Sequence, residues 1–523
     1  MESPWAAASP GRWHGPSWRA TAPSCAGSAP VTEPLLPVTP PSRAVIEELA
    51  GWIDPLDALD ALRRRRHPVL LHSGLEGHPA SRFSILAAEP RVVVSLRGAQ
   101  ASLAWAPETQ RGEETRTVRD PFDLLRALAP GGSVEPVQGL PFSGGAIGYL
   151  GYGLRRAVES LPGRPPDPLG HPDVWLGLYD AAVVFDHRER RATLVAVGLE
   201  AGDGARRQAR AVERLQMLRH DLARAGNAAA PAAPAGPERA PRREATLLTS
   251  RQAYLGRIAR ALEYVAAGDL YQVNLSHRIA CPFEGDPIAL FRDLARRNPS
   301  PFAAYLDAGP FQVVCASPER FVSLRQGKAV SSPIKGTRPR GATPAQDTRL
   351  AQELVSSAKD RAENVMIADL VRSDLGRVCE PGSVRVGGLC ALETFATVHH
   401  LVSTISGRLR PDRDRVDLLA ALFPAGSMTG APKVRAMEVI DELEGEERGI
   451  YSGSVGYLSL DGAMDWNIVI RTIVCGGGAG QIRVGGGIVA DSEPRAEYLE
   501  TLDKARALLD VLRATPPGGR DGF

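Results

Sequence analysis

The stretch Gln481-Ile482-Arg483-Val484-Gly485-Gly486-Gly487-Ile488-Val489-Ala490 decides the fold class of this chain. It reads as a β-strand carrying three glycines, with a helical pattern following at 492–513. A doubly wound nucleotide fold would show G-x-G-x-x-G at such a junction, as the turn that lets backbone approach a pyrophosphate. The spacing is absent here, and no such motif follows a strand elsewhere. Upstream, β-rich stretches at 271–280, 302–325, 450–460 and 465–475 alternate with helical ones at 284–297, 344–376 and 432–444. There is no strict strand–helix–strand rhythm and no repeat. The expectation is an α+β chain with large, mainly antiparallel β-sheets packed with surrounding helices.

Further outward, 67–73, 82–88, 92–96 and 100–105 read as strands, and 174–199 as two more joined by a polar turn at 186–191. Residues 205–224 look helical. Ser250 precedes apolar positions Tyr254, Ile258, Leu262 and Val265 at helical spacing, and Gly268 closes that helix. The Ala/Pro-rich, aperiodic stretch from Asn227 is a linker. The expected organisation is a disordered extension at 1–42, an N-terminal domain at 43–226, a linker at 227–245 and a catalytic domain at 246–515.

Bulk properties narrow the class. With 62 Lys and Arg against 60 Asp and Glu, the net charge of +2 gives no basis for a nucleic-acid or anionic-membrane partner. The Arg63–Arg66 run reads as a solvated helix face. Six cysteines are scattered without a C-x-x-C pair, which fits buried thiols in a reducing, cytoplasmic setting. No apolar run reaches the roughly 18 residues of a membrane helix.

Several residues bear chemistry. Lys335, in Pro333-Ile334-Lys335-Gly336-Thr337, is either a desolvated nucleophile or a lysine flanking a turn. Glu319, after Ser317-Pro318, is a general acid in a cleft or an edge charge. Asp360 and Glu363 share one face near a helix start capped by Ser357. Glu493, Glu497 and Glu500 share another, behind Ser492 as N-cap. Two such faces either hold a hard cation such as Mg²⁺ or compensate helix dipoles. Of His399 and His400, one is expected to face the core and one a cleft. Arg471 sits in the apolar β run 468–473, where its charge needs a carboxylate partner. The run Gly426-Ser427-Met428-Thr429-Gly430-Ala431-Pro432-Lys433 precedes a helix and suits an anion. Together these suggest a dicarboxylate substrate, Mg²⁺ and an acid/base pair.

These motifs make the chain similar to the chorismate-utilising enzymes, from about His67 to Leu512. Also shared are Tyr271-Gln272-Val273-Asn274-Leu275, the run from Ser357 to Arg377, and the stretch from Gly485 to Lys504. The resemblance implies an anthranilate synthase component I-like fold. Isochorismate-forming relatives place a water-activating lysine where this chain has Gln272, and anthranilate-forming ones carry Ala where it has Lys335. The resemblance therefore implies amination at C4 of chorismate: Lys335 attacks C2 and Glu319 protonates the departing hydroxyl. By the same resemblance Glu363 and Glu500 ligate Mg²⁺, with Glu497 and Asp360 acting through water. Arg471, Tyr451, Gly485 and Gly486 bind the enolpyruvyl carboxylate, while Thr337, His400 and Thr429 line the pocket. Ser73 marks a candidate tryptophan pocket, although His72 stands where feedback-inhibited relatives have Glu. No glutaminase nucleophile elbow surrounds any cysteine, so ammonia is expected from a separate glutamine amidotransferase subunit.

Overall fold

The computed structural model describes residues 35, 42–199, 204–227, 242–395 and 398–515. Most of the expected 1–42 extension, and residues 228–241 of the expected linker, lie outside the described residues.

Two twelve-stranded sheets dominate. The first runs Val45–Glu48, Arg191–Ala196, Ala181–Asp186, Phe83–Ala87, Val69–His72, Phe302–Asp307, Gln312–Ser317, Thr472–Gly476, Ala479–Ile488, Gln272–Pro282 and Thr246–Leu247. Gly430–Ala431 pairs beside this path with Gln272–Pro282. The second runs Ile334–Pro339, Val398–Arg408, Lys328–Ser332, Arg320–Arg325, Met464–Asn467, Ser454–Ser459, Gly145–Leu150, Val174–Tyr179, Val92–Arg97, Gln100–Trp105 and Glu113–Thr117. Arg385–Thr394 adds to Val398–Arg408. Pairings along both sheets are antiparallel, as expected. Each sheet takes strands from both sides of 228–241, through the pairs Val69–His72 with Phe302–Asp307 and Gly145–Leu150 with Ser454–Ser459.

Alternation along the strands explains the layering. Val69 and Ile85 face a cluster with Ile147, Tyr149 and Trp175 of the opposite sheet. Their neighbours Leu70 and Leu86 face Leu215 and Leu218 of the Gly204–Asn227 helix and Tyr254 and Ile258 of the Arg251–Ala266 helix. On the second sheet, Val92 and Val94 belong with Leu124 and Leu125 of the Pro121–Leu128 helix. Strands buried on both faces read as near-continuous apolar runs, and the result is helix, sheet, sheet, helix.

Three expectations need correction. Residues 174–199 hold three strands, not two: the chain leaves the second sheet after Tyr179 and enters the first at Ala181. The fully buried Asp180 between them accepts from Arg214 Nε at 2.7 Å. The last helix is Pro494–Val511, capped by Glu493 through the amides of Arg495 and Ala496, not by Ser492. Pro at the first helical position fixes the preceding residue as the cap. Arg471 lies outside any strand, at φ +50°, where its run turns before Thr472–Gly476.

Ser250 caps its helix through the Ala253 amide, and Ser357 splits the long helical stretch into Pro344–Ser356 and Ala358–Gly376. The five described cysteines are free and buried. In the Arg63–Arg66 run, which follows the Pro55–Ala61 helix, Arg63 and Arg64 are exposed and Arg65 and Arg66 half-buried, with surface ion pairs from Arg63, Arg65 and Arg66 to Asp286, Asp221 and Glu89. No helix among the described residues is long and apolar enough to cross a membrane.

Candidate active site

Lys335 is the second residue of Ile334–Pro339, an edge strand of the second sheet. It sits opposite Leu401, while Thr337 sits opposite His400. The ladder therefore skips Gly336, which adopts φ +81°. A bulge of this kind re-aims the side chain beside it. A Cβ built on Gly336 would meet Asp360 Cβ at 3.0 Å, so glycine also lets the strand settle on the Ala358–Gly376 helix.

The lysine reaches toward the first sheet. A Cβ on Gly487 would stand 3.2 Å from Lys335 Nζ and 2.5 Å from Gln272 Nε2. Gln272 is fully buried, and neither end of its amide has a hydrogen-bond partner among the described residues. Lys335 has no hydrogen-bond or ion-pair partner among the described residues. Burial pushes its ammonium below the ordinary lysine value, with Glu363 opposing and Lys504 reinforcing. A desolvated, unpaired amine is the form in which lysine acts as a nucleophile.

Glu319, 3% exposed, follows the strand Gln312–Ser317. Its Oε1 accepts from the Ile334 amide at 3.2 Å and from Ser427 Oγ at 2.8 Å. Burial raises this carboxyl to about 7 against those donors, the range of a general acid at neutral pH.

Both histidines are buried. His399 Nε2 meets Asp347 at 2.9 Å, and its Nδ1 meets Thr394 at 2.9 Å. His400 Nδ1 meets Thr337 Oγ1 at 2.9 Å, whereas its buried Nε2 has no partner. Burial, then the Arg471 charge, hold the imidazole at about 3, hence neutral. The Arg471 guanidinium has no carboxylate or other hydrogen-bond partner among the described residues, and burial pulls it below the ordinary arginine value. A desolvated guanidinium of this kind is matched by a carboxylate brought by a ligand. Tyr451 is buried beside Arg448, its phenol pushed up to about 12 by burial. Thr429 Oγ1 donates to Ala425 O at 3.0 Å and contacts the Tyr152 hydroxyl at 3.3 Å.

The acidic faces meet at the third side. Burial raises the Glu363 and Glu497 carboxyls, and each helix's other acids, Asp360 and Glu500, add to the push. Ser492, displaced from its expected capping role, donates to Glu497 Oε1 at 2.6 Å. A Cβ on Gly486 would lie 3.2 Å from Glu497 Oε2. Glu500 is held below its ordinary value by Lys504, whose Nζ lies 2.8 Å from Glu500 Oε1 and donates to Gly485 O at 3.0 Å. Asp360 pairs with Arg338 at 3.0 Å. Among the described residues no group of three or more His, Cys, Asp or Glu is gathered closely enough to hold a metal by itself. An all-oxygen set in which Glu500 is held ionised while Glu363 and Glu497 resist ionisation still fits Mg²⁺, which takes one or two carboxylates and completes its shell elsewhere.

Ser73 lies far along the first sheet, its single hydroxyl proton shared between Phe83 O at 2.7 Å and Pro301 O at 3.2 Å. Two residues escaped the sequence reading. Lys504 falls four residues after Glu500, so the helical period exposes it. Ser427 reaches Glu319 only through the tertiary fold, and no local signal marks it.

A buried ion cluster underlies the site. Glu444 binds Arg448 at 2.7 Å and Arg483 at 2.8 Å, while Arg448 also donates to Met428 O and Asn274 O. It ties the 426–429 turn to the strand that carries Gln272.

A site of this make defines an enzyme for a small anionic, carboxylated substrate. The chain belongs to the chorismate binding enzyme family, whose model matches residues 82–510. Among its relatives, aminodeoxychorismate synthase component 1 of Klebsiella aerogenes is 42% identical, over 85% of this chain and 94% of that protein. Anthranilate synthase component 1 of Streptomyces coelicolor is 40% identical, over 93% of this chain and 98% of that protein. The crystal structure of anthranilate synthase component I from Streptococcus pneumoniae TIGR4 superposes with a TM-score of 0.70 at 33% identity, covering 83% of this chain and 93% of that one. The fold is thus the anthranilate synthase component I fold, and the chain is a chorismate-utilising enzyme.

Proposed function

We propose that this chain is an aminodeoxychorismate synthase component I, converting chorismate and ammonia to 4-amino-4-deoxychorismate for para-aminobenzoate and folate synthesis. The observation that carries this reading is Lys335: an unpaired amine against the Gly487 wall, on the strand whose Ile334 amide holds the Glu319 carboxyl.

In this reading the neutral Lys335 amine forms a bond to C2, both ring double bonds shift one position toward C4, and the C4–oxygen bond breaks. Glu319 gives its proton to that oxygen, which leaves as water. Ammonia then bonds to C4, both double bonds shift back, and the Lys335 amine departs from C2. Arg471 and Tyr451, with the backbone at Gly485 and Gly486, bind the enolpyruvyl carboxylate; Gln272, Thr337, His400 and Thr429 line the ring. Glu363, Glu497 and Glu500 would hold Mg²⁺, which when bound supplies positive charge for the ring carboxylate. A glutamine amidotransferase subunit supplies the ammonia. Ser73, with its hydroxyl already spent on two carbonyls, is the remaining candidate for a tryptophan pocket.

The similarity to anthranilate synthases, nearly as high, supports a second reading, in which pyruvate leaves and the product is ortho-aminated. Product analysis with chorismate, Mg²⁺ and ammonium separates the two. The proposal expects 4-amino-4-deoxychorismate without pyruvate; anthranilate with pyruvate would establish the second.

A further inference from the structure

The two oxygens of Glu319 are not equivalent. Oε1 receives both donors, the Ile334 amide at 3.2 Å and Ser427 Oγ at 2.8 Å. Oε2 has no hydrogen bond among the described residues. A backbone N–H can only donate, so the oxygen it faces must remain an acceptor. The proton of the neutral carboxyl is thereby directed to the other oxygen.

Ser427 is mounted to hold its part of this arrangement. It is 4% exposed, in the single turn Gly426–Thr429. A Cβ on Gly426 would come within 2.3 Å of Leu370 Cδ2, so the turn lies tight against the Ala358–Gly376 helix. From the other side Arg448 Nη1 donates to Met428 O at 2.8 Å. The backbone that carries Ser427 is thereby held in place beside Glu319.

We infer that Ser427 is a positioning residue for the acid: with the Ile334 amide it fixes Oε1 as the accepting oxygen and leaves Oε2 to deliver the proton. This rests on the reading of Glu319 as the acid. Both donors favour the ionised carboxyl, and without them burial would raise it further. Ser427 thus sets the pH at which the acid is lost as well as the oxygen that acts.

The test is the pH dependence of kcat/KM for the full chain with chorismate, Mg²⁺ and ammonium. In Ser427→Ala the alkaline limb is expected to move up by about one pH unit, the change brought by losing one hydrogen bond to a charged group. The rate below the limb is expected to fall about tenfold. Ser427→Thr should restore both. Ser427→Cys, a weaker donor of similar shape, should move the limb the same way by less, and carries the test if the alanine variant does not fold. A lowered rate with an unmoved limb would overturn the inference and leave Ser427 a purely structural residue. Glu319→Gln separately checks the underlying reading: if it keeps the parent rate and limb, Glu319 is not the acid and the inference falls with it.

Discussion

Lys335 and Gly487 stand on different sheets, yet a single methyl group added to the glycine would come within 3.2 Å of the lysine nitrogen. The amine therefore occupies space that only an absent side chain leaves open. Gly487→Ala should displace Gln272 and turn Lys335 away from its line. A shift of about 1 Å at a reacting atom costs on the order of a hundredfold in rate. That loss in kcat/KM, with an unchanged circular dichroism spectrum, is the expected result; full activity would mean the wall is not part of the site.

Lys335→Ala should abolish amination at C4 and leave the fold intact, because the side chain makes no hydrogen bond or ion pair among the described residues and the backbone pairing opposite Leu401 is kept. Trapping of a chorismate-derived adduct, followed by mass, should succeed with the parent and fail with the variant. Unchanged turnover in the variant would remove the covalent route.

The proton-donating form of Glu319 is lost as pH rises through about 7, where its carboxyl ionises. Lys335 must lose a proton to attack, and burial moves that loss below its ordinary 10.5. The pH–kcat/KM profile is therefore a bell. Glu319→Gln should lower kcat by about 10²- to 10⁴-fold and erase the alkaline limb.

Glu363→Gln should weaken the Mg²⁺ dependence. The variant keeps the volume of a half-buried carboxylate and loses its charge. The Mg²⁺ concentration for half-maximal rate is expected to rise by about ten- to a hundredfold, a range that even outer-shell changes reach. A superimposable titration would reject Glu363 as a ligand.

Glu444→Gln should cost about 3–5 kcal/mol in urea unfolding, because it leaves the buried guanidinium of Arg448 without its counter-ion and that of Arg483 with Glu446 alone. The two arginines hold the Glu444 carboxyl down at about 2. With the folded value depressed, its contribution is present above the ordinary 4.5 and is lost as pH falls toward 2. A cost below about 1 kcal/mol would mean the arginines find other partners.

What the sequence disclosed followed the range of the interaction. The cap at Ser357 and the shared face of Asp360 and Glu363 depend on neighbours within one turn, and they were legible. Ser492 misled because a serine before an acidic helix looks like a cap, while Pro494 in the same line already assigned that place to Glu493. Arg471 sits in an apolar run with β periodicity, and only its positive φ shows that the run turns there. The division at Asp180 was illegible because its reason is Arg214, 34 positions away on a helix. Ser427 and Glu319 are 108 positions apart, and nothing local joins them.

The strand pairs that run from one half of the chain to the other have a practical meaning for anyone who would cut it. Cleavage within 228–241 would sever one peptide bond and none of the ladders Leu70–Tyr305 or Ile147–Tyr457. The nicked protein should stay together as two interlocked fragments. Either fragment made alone would present two raw sheet margins, the kind of surface that finds partners of its own. A gene for this enzyme cannot be halved at its most obvious seam and yield two well-behaved products.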